Sequence, residues 1–189
     1  MIELRELWID GFGCLRTARE PIRFDKQRVN LFLDDNEAGK TTLQMALLAS
    51  LFGVEHDKRV RNTARPPASA WHPLSGPPFG TRLRLADGPR LLELRWNFAS
   101  DGEVRIVDLA TNQLVTDELC PGGDQLALGR RLLGLSLEEF LKTCLVRHDD
   151  LTGVPSDAPG FVDLGLQDFH LAEGSPALDV GGALVNTAL

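Results

Sequence analysis

Residues 39–42, Gly-Lys-Thr-Thr, close the segment LFLDDNEAGKTTL, residues 31–43. Their types and spacing suit phosphate chemistry. In a loop of the form GxxxxGK[ST], successive backbone N–H groups turn inward at a phosphate, and the following helix aims its positive end at the same anion. On that pattern Lys40 reaches the β- and γ-phosphates and Thr41 offers its hydroxyl to Mg²⁺. Gly39 lets the backbone approach without a Cβ. The loop residues that would line ATP are Asp34, Asp35, Asn36, Glu37, Ala38, Gly39, Lys40, Thr41 and Thr42. Asp34 stands where the pattern has its first glycine. Aspartate tolerates turn geometry, but its carboxylate opposes a triphosphate unless Mg²⁺ or Lys40 offsets it. The alternative is an ordinary strand–turn–helix with a lone Gly-Lys-Thr.

The flanks decide whether such a loop has a frame. Residues 29–33, VNLFL, form a nearly continuous apolar run, which predicts a strand buried on both faces. From Thr41 the period becomes helical, with Leu43, Ala46, Leu47 and Leu51 on one side and Gly53 at the C-terminal end. Strand, tight loop and helix follow within about 25 residues, the plan of a phosphate-binding unit. Upstream, residues 2–9 alternate as a strand with one buried face, Gly11-Phe12-Gly13 breaks it, and residues 20–24 read as a second short strand. Residues 55–80 contain five prolines and fit neither period, so they read as a functional loop. Strands are predicted over 81–87, 90–99 and 103–110, separated by turn signals at Gly88-Pro89 and Asp101-Gly102, as an antiparallel meander. A helix is predicted over 124–135, and Ser136 and Glu139 have capping-box spacing for another.

The 189 residues suffice for one domain with a sizeable core. With 43% hydrophobic and 25% charged residues the composition is that of a soluble globular chain. A net charge of −7 gives no global basic footprint for nucleic acid, though a local patch stays open. No apolar stretch reaches the length of a membrane helix, and the N-terminus lacks the apolar core of a signal peptide. Cys14, Cys120 and Cys144 are widely spaced with no CxxC pair, which fits reduced thiols in a cytoplasmic protein. All 20 Lys and Arg lie at or before Arg147, whereas residues 155–189 carry five acidic residues. This shift places a boundary near Val154-Pro155, giving regions 1–154 and 155–189.

NEAGKTTL resembles the NEAGK[ST]TL stretch of SMC-like ABC ATPases, in particular SbcC-type and YhaN-like DNA-repair ATPases. IELRELWIDGFGCLR is similar to that family's opening strand and turn, and PIRF to its next strand. HPLSGPPFGTRLRL, residues 72–85, is similar to its Pro- and Gly-rich lead into an antiparallel sheet. LGLSLEEFLKTCLVRHDDL, residues 133–151, resembles the segment ending in its Q-loop. The likeness covers about residues 1–154. It implies an α/β P-loop NTPase fold, the N-terminal lobe of a head with an antiparallel β meander. It also implies ATP and Mg²⁺ as cofactors, DNA as a partner, and a head-to-head dimer. In that family a second half-head supplies the signature motif, Walker B and the catalytic glutamate. None of these strings stands in this sequence. The resemblance therefore implies a chain supplying the C-terminal half-head, without which hydrolysis is slow. Other readings are a non-catalytic nucleotide-binding regulatory fragment, a truncated product without function, or a small-molecule kinase using the same loop.

The resemblance places His148 at the Q-loop glutamine, where it would meet Mg²⁺, the γ-phosphate or the attacking water; the alternative is a surface histidine beside Asp149 and Asp150. Imidazole suits Mg²⁺ poorly. Lys58, Arg59, Arg61 and Arg65 form a basic loop that reaches nucleotide phosphates or DNA, or is simply a solvated charge run. The resemblance puts an arginine of this region near ATP, hence Arg59 and Arg61 as candidates. His56, His72 and His170 have no metal-ligand spacing, and Trp71 and Trp96 read as packing residues. DFHLAEGSPALDVG, residues 168–181, resembles the closing coil of parallel β-helix proteins, which depends on the coil before it. The region 155–189 is thus expected to lack a core of its own.

Overall fold

The computed structural model describes residues 2–16, 19–33, 38–56, 65–99, 102–145, 161–163 and 168–171. The chain divides into two compact units, Met1–Cys144 and Leu145–Leu189. The surroundings of the charge shift near Val154-Pro155 lie outside the described residues.

In the first unit a six-stranded sheet runs in the order β2-β1-β3-β4-β5-β6. Its strands are β1 (Ile2–Gly11), β2 (Ile22–Arg23), β3 (Gly80–Asp87), β4 (Arg90–Asn97), β5 (Glu103–Asp108) and β6 (Gln113–Leu114). Every pairing is antiparallel. The unit therefore mixes strands and helices, as the α/β expectation has it at that coarse level, and β3–β4–β5 form the expected meander. Both edge strands are two residues long, which leaves little edge for another chain to pair with.

The apolar spacing in β1 changes phase, from Ile2 and Leu4 to Leu7 and Ile9. A bulge explains it. Leu4 pairs with Leu85 and Glu6 with Arg84, so Arg5 is an extra residue in the ladder. The shift brings Leu4 and Leu7 to the same face, opposite Leu85 and Leu83. That face carries the core: Leu7, Ile9, Leu83, Leu85, Leu92, Leu94, Trp96, Val104 and Ile106 are all buried.

Helix α1 (Lys40–Phe52) lies on this face. A buried polar relay fixes it there. Ser50 Oγ donates to Ala46 O and lies 2.7 Å from Thr81 Oγ1 on β3, while Trp96 Nε1 on β4 donates to Ser50 O at 2.9 Å. Gly53, with φ 74°, ends the helix, and its N–H returns to Ala49 O. The other helices are α2 (Ala68–Trp71), α3 (Thr116–Leu119), α4 (Leu128–Leu133) and α5 (Leu137–Thr143). α4 meets α1 at Gly129, where a Cβ would lie 2.4 Å from the Phe52 ring. Phe140 of α5 packs on the same ring at 5.3 Å. The capping box of α5 is present in both directions, Ser136 to Glu139 and back. No helix among the described residues is long and apolar enough to cross a membrane.

Three expectations differ from the structure. Residues 29–33 form no strand buried on both faces. Val29, Leu31, Phe32 and Leu33 are 84%, 73%, 42% and 81% exposed. The preceding turn is closed by Asn30, whose side chain accepts from Asp25 N–H and donates to Asp25 O. No described strand pairs with the run, and among its side chains Phe32 alone meets a described ring, that of Phe24 at 6.3 Å. The helix expected over 124–135 is a 3₁₀ turn, Gln125–Ala127, leading into α4. There Gln125 Oε1 accepts Val104 N–H at 2.8 Å and holds the start of the segment to β5. Finally, β6 and α3 have no counterpart in the sequence reading, because two and four residues are too short to show a period.

In the second unit β7 (Phe161–Asp163) and β8 (Asp168–Leu171) pair antiparallel.

Candidate functional site

The candidate phosphate loop ends where α1 begins. Gly39 occupies the N-cap with φ 97° and ψ 17°, a left-handed conformation that a side chain disfavours. Its carbonyl accepts Leu43 N–H at 2.8 Å, the first turn of the helix. The opening N–H groups of an α-helix lack intrahelical acceptors. Among the described residues no side chain caps this end, and its first turn holds no acidic residue. Such a terminus attracts an anion.

Three residues of this turn face differently. Lys40 and Thr41 are exposed and line a groove of about 340 Å³ with Leu7, Phe24, Phe32, Leu43, Gln44 and Leu47. Thr42 points the other way and is only 8% exposed. Its hydroxyl lies 3.3 Å from Cys14 Sγ, and its methyl rests where a Cβ on Gly13 would come within 2.8 Å. Leu43 and Leu47 are half-buried, packed against the core and lining the groove. The groove is apolar along the helix and polar at its Lys40–Thr41 end.

Behind the loop stands the turn Gly11–Leu15. It is closed by Phe12 N–H to Leu15 O at 3.0 Å and Leu15 N–H to Phe12 O at 2.9 Å. Gly13 N–H donates to Trp71 O at 2.7 Å, and the Trp71 ring stacks on Phe12 at 5.7 Å. Phe12 is fully buried against Phe79 and Phe98. Trp71 and Trp96 thus serve packing, as read from the sequence. The contact of Cys14 and Gly13 with Thr42 was missed, since nothing in the spacing of residues 11–15 and 39–42 links them. The available signal was the pair of glycines around a phenylalanine at the end of a strand.

Of the other candidates, Asp34, Asp35, Asn36, Glu37, Arg59, Arg61 and His148 lie outside the described residues. Arg65 is described, and it sits at the far end of α1. Its Nε donates to Phe52 O at 3.2 Å, a basic side chain at a helix C-terminus. At about 1.5 Å per residue, the helix separates it from Lys40 by about 18 Å. Arg65 therefore caps the helix rather than joining the phosphate end. Among the described residues no group of three His, Cys, Asp or Glu side chains could hold a metal ion. Thr41, the candidate oxygen ligand to Mg²⁺, is exposed in the first turn of α1.

A second cluster covers the outward face of the sheet. Arg82 and Arg84 lie over the Trp8 ring at 5.2 and 4.6 Å. Arg82 pairs with Asp10, and Arg84 with Glu6 and Glu93, while Glu93 also takes Arg95. Burial pushes the Glu93 carboxyl up, but hydrogen bonds from Arg84 and Arg95 outweigh it and hold it below the ordinary range. These arginines are matched by carboxylates, which marks the face as an ion-pair network rather than a basic surface.

No family model matches the sequence, and no curated protein matches it either.

Proposed function

We propose that residues 34–42 bind ATP with Mg²⁺, in a half-site of the SMC-like ATPase kind that a second polypeptide segment completes. One observation carries this reading. Gly39-Lys40-Thr41-Thr42 opens a 13-residue helix whose first turn holds no acidic residue and, among the described residues, takes no side-chain cap. Lys40 and Thr41 face outward there, and Thr42 is anchored inward. A lone Gly-Lys-Thr in an ordinary turn has no need of that division. Lys40 would neutralise the β- and γ-phosphates, Thr41 would take Mg²⁺, and the backbone of Ala38–Thr42 would donate to the phosphate oxygens. Bound Mg²⁺ supplies charge neutralisation to the triphosphate.

The completing segment is proposed from the neighbouring surface. Val29, Leu31 and Leu33 are exposed, and the adjoining groove is walled by Phe24, Phe32, Leu43 and Leu47. An apolar run beside an apolar groove is what a buried strand leaves when its covering partner is elsewhere. On this reading the isolated chain binds nucleotide and turns it over slowly. DNA and a head-to-head dimer belong to the resemblance, and the described residues assign them no surface.

The test is thermal unfolding of the purified chain with and without Mg·ATP. Ligand at a hundred times its dissociation constant stabilises the folded state by about 2.7 kcal/mol. The midpoint should rise for the native chain and stay put for Lys40→Ala. Equal responses, or none in either, reject the reading.

A further inference from the structure

We infer that the turn Gly11–Leu15 positions the phosphate loop, with Cys14 and Gly13 as the residues that aim the first turn of α1. Cys14 Sγ lies 3.3 Å from Thr42 Oγ1 and 3.1 Å from the point where a Gly39 Cβ would stand. Leu15 Cδ2 lies 3.0 Å from that same point. Gly13 leaves room for the Thr42 methyl, since its own Cβ would come within 2.8 Å. The turn thus touches both Gly39 and Thr42, on the side away from Lys40 and Thr41.

The brace is itself held rigidly. Its two reciprocal backbone hydrogen bonds close it, and Gly13 N–H is tied to Trp71 O. Leu74 N–H returns to Gly13 O at 3.2 Å, so both backbone groups of Gly13 are engaged by residues 71–74. Phe12 roots the turn among Trp71, Phe79 and Phe98. A left-handed Gly39 is soft by itself, because glycine reaches many conformations. Packing from Cys14 and Leu15 selects one of them, and the contact to Thr42 sets the direction of the helix end. Neither residue touches a nucleotide; they act through Gly39 and Thr42. The consequence for affinity rests on the nucleotide reading above, but the brace is a property of the chain alone.

The test uses the full chain with Cys14→Ala, Cys14→Ser and Gly13→Ala. Amide hydrogen exchange of residues 43–46, the first hydrogen-bonded amides of α1, is read without nucleotide, beside that of β3 and β4. Cys14→Ala should speed exchange at 43–46 by about three- to tenfold, the scale of one hydrogen bond, with β3 and β4 unchanged. Cys14→Ser retains a group that pairs with Thr42 and should restore protection. Gly13→Ala should exceed Cys14→Ala. Unchanged exchange at 43–46 in Cys14→Ala overturns the inference, as does a rise shared equally by β3 and β4. Titration with a fluorescent ATP analogue and Mg²⁺ forms the second arm. Affinity should fall in Cys14→Ala and recover in Cys14→Ser at an unaltered unfolding midpoint. A native chain that binds no analogue rejects the nucleotide reading, while the exchange arm still decides the brace.

Discussion

Glu93 is 1% exposed on the outward face of the sheet, between Arg84 and Arg95. Burial raises its pKa and the two guanidiniums lower it, with the lowering prevailing. A carboxylate whose folded pKa is depressed stabilises the fold above its unfolded pKa, about 4.3 for glutamate. That stability is lost as pH falls through the lower folded value. Denaturant unfolding from pH 6 downward should therefore show a loss that begins near the unfolded value in the native chain and is much reduced in Glu93→Gln. At pH 7 the same variant should be less stable by about 1–3 kcal/mol; water still reaches both arginines and offsets part of the loss. A flat difference between the two chains across that pH range contradicts the assignment. Residue identity alone did not reveal this group, since a glutamate in an alternating strand reads as solvated. Gly39 was readable as a required glycine, though the structure adds a second cause: a left-handed φ packed against Cys14 and Leu15.

Local signals carried over into the elements best. The capping box of α5 lies within four residues, and the meander turns sit at Gly88-Pro89 and Gly102, so both depend on neighbours in sequence. Residues 29–33 depend on something further away. A continuous apolar run states what a segment is able to bury, and says nothing of whether a partner stands beside it. The same holds for Leu43 and Leu47, whose helical spacing was legible and whose half-burial beside the groove was not. The bulge at Arg5 was visible as a phase change in β1, but only pairing with β3 shows that it keeps both halves on one face. At the α1–α4 crossing, Gly129→Ala would place a Cβ 2.4 Å from the Phe52 ring and 2.8 Å from Leu51 O. Overpacking of this kind costs about 1–3 kcal/mol, and alanine's helix propensity returns about 1 kcal/mol. The expected result is a net loss of about 1 kcal/mol, measured as a lower denaturant midpoint at unchanged slope. A gain in stability contradicts the close crossing.

At the scale of the first unit, the sheet, its bound helix and the brace behind Gly39 form one framework, and among the described residues the apolar segment 29–33 beside it is exposed. Such a surface favours association. Leu31→Glu with Leu33→Glu should leave the unfolding midpoint within about 0.5 kcal/mol of the native chain, as for exposed positions generally. In sedimentation it should reduce concentration-dependent self-association. A large loss of stability means that these side chains are packed after all. The motif behind the proposed nucleotide site stands out in the sequence because it is short and contiguous, whereas the division between outward Lys40 and Thr41 and inward Thr42 came only from the fold. The central claim is that Lys40 and its helix end hold a triphosphate. Equilibrium titration of the purified chain with a fluorescent ATP analogue and Mg²⁺, beside Lys40→Ala, tests it most directly. Saturable binding by the native chain, weakened at least about tenfold by the substitution, a difference of about 1.4 kcal/mol, is the predicted result. Equal binding by the two chains, or none by the native one, would contradict it.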